Sequence, residues 1–135
     1  MKVLIDTNII LDVLCKRPGV YEDSARIFKL CEIRKITGVI SALSVPNIAY
    51  ILRKELDAEK TKEVIDNLML IFSVADLKAD DLKKAADMKF KDFEDAIQSA
   101  CASRIKANYI VTRNIKDFAE SKVTAIKPTE LLDRI

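Results

Sequence analysis

Residues 89–107, KFKDFEDAIQSACASRIKA, crowd Asp92, Glu94 and Asp95 together and then run from Ala96 through Ala107 without an acid. Carboxylates grouped this way serve one of two ends. At the start of a helix they meet unpaired backbone N–H groups and the positive end of the helix dipole, each worth roughly 0.3–1 kcal/mol. Brought against acids from elsewhere in the chain, they form an oxygen-donor set for a hard divalent cation. The chain has no histidine. That excludes Ser-His-Asp and Cys-His catalysis and His-ligated zinc, and leaves carboxylates, lysines, cysteines or a metal to do any chemistry.

Each candidate has a plain structural reading beside the chemical one. Asp92 lies three residues before Asp95, as in a capping box with Asp in the Glu place, so it reads as a helix cap first and a ligand second. Glu94 points about 100° away from Asp95 around a helix and is expected to face solvent or a loop. Asp95 shares its face with Gln98, Ser99 and Ala102, where an acid either meets a cation or is a costly burial. Asp6 follows the apolar run KVLI and is readable as a cap for the next helix or as a strand-end ligand. Asn114 and Asp117 follow YIVTR as turn formers or as site groups. Thr112 and Ser99 serve equally well as core hydroxyls. What favours chemistry is that strand end, helix start and strand end fall on one side of one sheet.

The elements that must place these groups follow from periodicity. KVLID is a short buried strand, and NIILDVLCKR continues as a helix broken by RPG at 17–19. YEDSARIFKLCEIRK puts Ile27, Phe28, Leu30 and Cys31 on one helical face, and ITGVISA (36–42) is a second strand. Ser44 is the expected N-cap of the helix VPNIAYILRKEL, with Pro46 in its first turn. AEKTKEVIDNLMLIF is a helix, FSVADL a short strand and ADDLKKAADMK a short surface helix. NYIVTRN (108–114) and VTAI are strands, and Pro128 opens the last helix, PTELLDRI. Alternating strands and helices with right-handed crossovers imply a doubly wound, three-layer α/β/α sandwich around a parallel sheet of about four to five strands. Ligands of such sheets bind beyond the carboxyl ends of the strands.

The bulk properties agree with one ordinary globular domain over residues 1–135. A net charge of +2 is too small to argue for nucleic acid or membrane by itself. No apolar run approaches the roughly 20 residues of a membrane span, and MKVLID meets an acid too early for a secretory signal. A cytoplasmic location, with no membrane association, is the default expectation. Cys15, Cys31 and Cys101 suit reduced, core-facing residues better than a disulfide framework or zinc site.

VLIDTNIILD, ISALSVPNIAYILRK, DFEDAIQSACA, YIVTRNIKDF and the closing IKPTELL, in that order and over nearly the whole chain, resemble a PIN domain. They are most similar to the small bacterial single-domain PIN proteins related to VapC-type toxins. The resemblance implies a ribonuclease dependent on Mg²⁺ or Mn²⁺, acting through metal-activated water on RNA. Carried over by position, Asp6, Asp95 and Asp117 become metal ligands, Asn114 joins them as the catalytic set, and Asn8 and Thr112 orient these groups. The family's usual glutamate after the second strand is replaced by Asn47, and Asn114 also stands where an acid is common. Metal binding is therefore expected to be weaker than in relatives, with Asp92 or Glu94 as compensating ligands. Arg17, Arg53, Lys54, Lys89, Lys91, Arg113 and Lys116 are candidates for RNA phosphates, and Arg113 and Lys116 flank the site. The resemblance further implies a homodimer and a cognate antitoxin partner. It leaves open a catalytically weakened module that binds RNA or protein.

Overall fold

Five short apolar segments form a wholly parallel sheet: β1 (Lys2–Ile5), β2 (Thr37–Ser41), β3 (Ser73–Ala75), β4 (Tyr109–Val111) and β5 (Ala125–Ile126). Their order across the sheet is β3-β2-β1-β4-β5, so the central strand comes first in the chain. The computed structural model describes residues 1–135. Seven helices and one turn of 3₁₀ helix connect the strands. The helices are α1 (Thr7–Leu14), α2 (Tyr21–Glu32), α3 (Ser44–Leu52), α4 (Ala58–Ile71), α5 (Ala79–Ala86), α6 (Phe93–Arg104) and α7 (Pro128–Asp133); the 3₁₀ turn is Ile115–Phe118.

Alternating strand residues divide the core into the layers the sequence implied. Val3 and Ile5 of β1, Ile40 of β2 and Val111 of β4 face one side, where they meet Ile9, Ile27, Ile48, Leu68 and Leu131 from α1, α2, α3, α4 and α7. Leu4, Val39 and Ile110 face the other side and pack on Cys101 and Ala102 of α6. Burial on both faces is why the strands read as continuous apolar runs rather than alternating ones. Helix α6 is enclosed all round, with Ala96 through Ala102 buried without interruption. That explains both its small residues and its lack of acids beyond Asp95.

Four local expectations change. The first helix stops at Leu14, and Lys16 adopts a left-handed φ of 47° just before RPG. Ser44 does not cap α3 from outside; it is the first helical residue, and its hydroxyl is 2.7 Å from that of Thr7. A tertiary bond between two helices has displaced the local cap. Among the cysteines, Cys31 and Cys101 are buried but Cys15 is exposed. The helix 79–86 is not wholly a surface element either, because Asp81 is buried against the guanidinium of Arg104 at 3.0 Å.

Gly38 sits in β2 where two helices press on the sheet. A Cβ there would lie 2.5 Å from Cys31 Sγ and 2.7 Å from the ring of Phe72. Phe72 is itself held edge-on by Phe28, with ring centroids 4.9 Å apart. Gly38→Ala is therefore expected to destabilise the fold by about 1–3 kcal/mol, the range for overpacking a filled core. Thermal or urea unfolding checks this, and an unchanged midpoint would contradict the packing described.

Candidate active site

The switch in strand order falls between β1 and β4, and Asp6 and Thr112 follow the carboxyl ends of these strands. The Asp6 N–H donates to Val111 O at 3.0 Å, which seats the start of α1 beside the end of β4. Asp6 occupies the N-cap position of α1, yet its side chain caps nothing. Instead Gln98 Nε2 donates to its Oδ1 at 2.9 Å and Thr112 Oγ1 donates to its Oδ2 at 2.8 Å. Thr112 Oγ1 in turn accepts the N–H of Asn114 at 3.0 Å. A strand-end acid, a helix and a loop are thus fixed to one another by a single buried carboxylate.

Around Asp6 opens a cavity of about 450 Å³. Its walls bring together Asn8, Asn47, Asp92, Asp95, Asn114 and Asp117, all singled out in the sequence, and add Gln98 and Glu94. Asp92 is a helix cap, as its spacing suggested: its Oδ1 accepts the N–H of Glu94 at 2.8 Å and of Asp95 at 3.2 Å. Glu94 is exposed, as expected, yet it also lines the cavity, where Asn47 Nδ2 on α3 donates to its Oε2 at 3.2 Å. The place expected to hold a glutamate is thus an amide that steadies a glutamate from α6.

Electrostatic stress is concentrated on Asp95, whose pKa is pushed up to about 7 by burial and then by the charges of Asp92, Asp6, Asp117 and Glu94. Burial also raises Asp6, against the lowering effect of its bonds from Gln98 and Thr112. No lysine or arginine lines this cavity. Arg113, expected to flank it, is turned onto the fully buried Asp12, with Nε 2.5 Å from Oδ2 and Nη2 3.0 Å from Oδ1. Arg17 shares that carboxylate at 3.1 Å. Lys116 lines, with Lys89 and Lys91, an adjoining cavity that also touches Asp92, Asp95 and Asp117. Arg53 lies over the Tyr50 ring, 3.5 Å from its centroid.

The donor set can be tested against a divalent cation. It is made of oxygen ligands, with no sulfur or imidazole, which suits Mg²⁺ or Mn²⁺ rather than zinc. No three of the acids converge closely enough to chelate one ion, so Asp6, Asp95 and Asp117 share a cavity without forming a closed cage. Mg²⁺ takes only one or two carboxylates and keeps several waters. Gln98 supplies a further sign: with its Nε2 on Asp6, its Oε1 is buried and has no partner in the protein. The residues fit a hydrated divalent cation.

Sequence reasoning missed Asp12, which reads as one polar residue in an amphipathic helix but is wholly buried between two arginines. It also left Gln98 as a neighbour of Asp95, since its bond to Asp6 spans 92 positions of chain.

A doubly wound parallel sheet with acids gathered beyond β1 and β4 defines the class of acid-lined α/β/α domains. Within that class the chain belongs to the PIN domain family, whose model matches residues 2–116. The fold is shared with solved toxin–antitoxin proteins. A chain of VapBC2 from Rickettsia felis, bound to a promoter DNA fragment, superposes with a TM-score of 0.73 at 18% identity, covering 94% of this chain and 98% of that one. A toxin–antitoxin complex from Klebsiella pneumoniae gives 0.71 at 21% identity, covering 93% and 97%. VapC20 of Mycobacterium tuberculosis, described as a Sarcin-Ricin loop cleaving toxin, gives 0.62 at 13% identity, covering 80% and 86%. No curated protein matches the sequence. No helix is long and apolar enough to cross a membrane.

The raised pKa of Asp95 carries a stability consequence. The folded state holds this proton more tightly than the unfolded chain, whose value is near 3.8. The contribution is fully present below about pH 4 and lost as pH rises through about 7. In chelator, the melting temperature should fall between pH 5 and pH 8, by an amount that Asp95→Asn reduces. At pH 8 Asp95→Asn should melt higher than the parent. A lower melting temperature for the variant would contradict the crowding of charge at this site.

Proposed function

We propose that this PIN domain is a Mg²⁺- or Mn²⁺-dependent endoribonuclease and the toxin of a type II toxin–antitoxin pair. The observation that carries the reading is the cavity at the ends of β1 and β4, where five carboxylates crowd with no lysine or arginine in the lining, and burial with these charges pushes Asp95 up to about 7. A bound cation would supply Lewis acidity toward the phosphodiester and a more acidic water as nucleophile. Asp6, clamped by Gln98 and Thr112, and Asp95 at the start of α6 would hold it, with Asp117 and the Gln98 carbonyl oxygen bonding its waters. Glu94, steadied by Asn47, restores a negative charge that Asn47 itself does not carry. Asn8 and Asn114 line the same cavity and orient polar groups there without adding charge. Lys116 lies where it can meet the RNA backbone at the rim.

The toxin assignment draws on the shared fold with toxin–antitoxin proteins and on the family. An antitoxin would be the protein partner and a homodimer the assembly. Tyr50 and Ile51, exposed at the rim of the cavity, offer apolar area to such a partner. The second reading, a catalytically weakened module that binds RNA or protein, is favoured by Asn47 and Asn114, which remove up to two charges from the usual set.

With Mn²⁺ present, the protein should cleave a mixed RNA substrate, and chelator should stop it. Asp95→Asn should reduce cleavage by about 100-fold or more, since metal-centred charge stabilisation is worth several kcal/mol, while its circular dichroism is unchanged. Gln98→Leu should weaken Mn²⁺ binding in calorimetry as well as cleavage. Undiminished cleavage by Asp95→Asn would end the nuclease assignment. RNA binding with no Mn²⁺ heat at millimolar metal would favour the second reading.

A further inference from the structure

Only two buried side-chain polar atoms in the protein lack a hydrogen-bond partner, Gln98 Oε1 and Ser24 Oγ. The first belongs to the acidic cavity. Ser24, in the first turn of α2, is wholly buried and lines a second cavity of about 350 Å³. Asn114 lines both cavities, so they adjoin. A buried hydroxyl with nothing to bond is a cost to folding, and nearly all such groups in proteins are paired.

The two cavities have opposite electrostatic character. The first is lined by five acids and no cation, whereas Arg113 and Lys127 line the second with Asp23 as its single acid. Arg113 is held there by Asp12, which binds its Nε and Nη2 and leaves Nη1 without a protein partner. Because Arg17 also bonds Asp12, two guanidiniums share one carboxylate and positive charge remains in excess. A guanidinium fixed in this way is a prepaid donor for an oxyanion. Thr129 adds a hydroxyl to the lining. Helix α2, twelve residues long, has Val20 at its N-cap with no side-chain cap, so its first-turn N–H groups are uncapped by any side chain.

We propose that the second cavity is a phosphate subsite, holding the backbone phosphate of the RNA strand next to the scissile one, with Arg113 Nη1, Lys127 and the hydroxyls of Ser24 and Thr129 as donors. The inference rests on the RNA reading above. It gives the acidic cavity what it lacks, an attraction for the polyanion that does not depend on the cation. It also gives Ser24 Oγ its partner.

Fluorescence anisotropy of a labelled single-stranded RNA on the intact protein, in chelator so that no cleavage intervenes, tests the subsite. Ser24→Ala and Lys127→Ala are each expected to weaken binding about fivefold or more. Lys127→Ala should also lower the salt slope of log Kd by about 0.7, the value for one phosphate contact on a single strand. Ser24→Ala should melt at or above the parent temperature, which separates a ligand-binding hydroxyl from a structural one. With Mn²⁺, both variants should raise KM for RNA and leave kcat unchanged. Parental affinity and salt slope in both variants would overturn the subsite while wild-type cleavage still upheld the nuclease. Absence of any RNA binding by the wild type would remove the RNA reading and the subsite together. Shifts of the Ser24 and Thr129 amide resonances by an acidic peptide but not by RNA would also overturn it.

Discussion

The site depends on one buried carboxylate. Asp6 ends the central strand β1 with both oxygens taken, one by Gln98 of α6 and one by Thr112 beyond β4. These bonds join three elements far apart in the chain, and through Thr112 Oγ1 they reach the N–H of Asn114. Removing water from an acid is costly, and burial does raise Asp6. The two donors offset that cost and fix the direction of the carboxylate. Everything around the cavity is placed relative to this clamp.

Topology supplies the rest of the crowding. Because β1 lies between β2 and β4, the loop after β4 and the start of α6 both open beside Asp6, and α3 reaches the rim. The N-terminus of α6 tolerates acids, and Asp92 uses that tolerance to cap it. Asp95 goes further, since it faces inward toward acids it cannot escape. An arrangement that is unfavourable in the bare protein is one that a cation would relieve, and this is how stability is traded for function at a binding site. The neighbouring cavity is lined by Arg113 and Lys127, so an acid-lined and a base-lined cavity adjoin at Asn114.

Much of this was legible in the sequence because strand ends and helix starts are set by local pattern. Asp6 after KVLI and Asp95 opening an Ala-rich helix are positions where the doubly wound fold forces convergence, and five ordered blocks resembled the PIN family. What stayed hidden were side-chain choices made across long separations. Glu94 is exposed as helical geometry implies, but only the bond from Asn47 on another helix sets it at the cavity. Asp12 was not singled out in the sequence, because only the folded chain brings Arg17 and Arg113 onto it, and that pairing takes Arg113 away from the acidic cavity. Ser44 carried the right chemistry for a cap and spent it on Thr7 instead. Local propensity located the elements, and tertiary hydrogen bonds decided what the polar residues on them do.

The central claim is that charge crowding at Asp95 is what a divalent cation resolves. Carbon-detected NMR titration of the Asp95 carboxyl, without and with saturating Mg²⁺, measures this most directly. The account predicts a value near 7 in the metal-free protein and a fall into or below the ordinary carboxylate range when Mg²⁺ is present. A titration that Mg²⁺ leaves unmoved would contradict it.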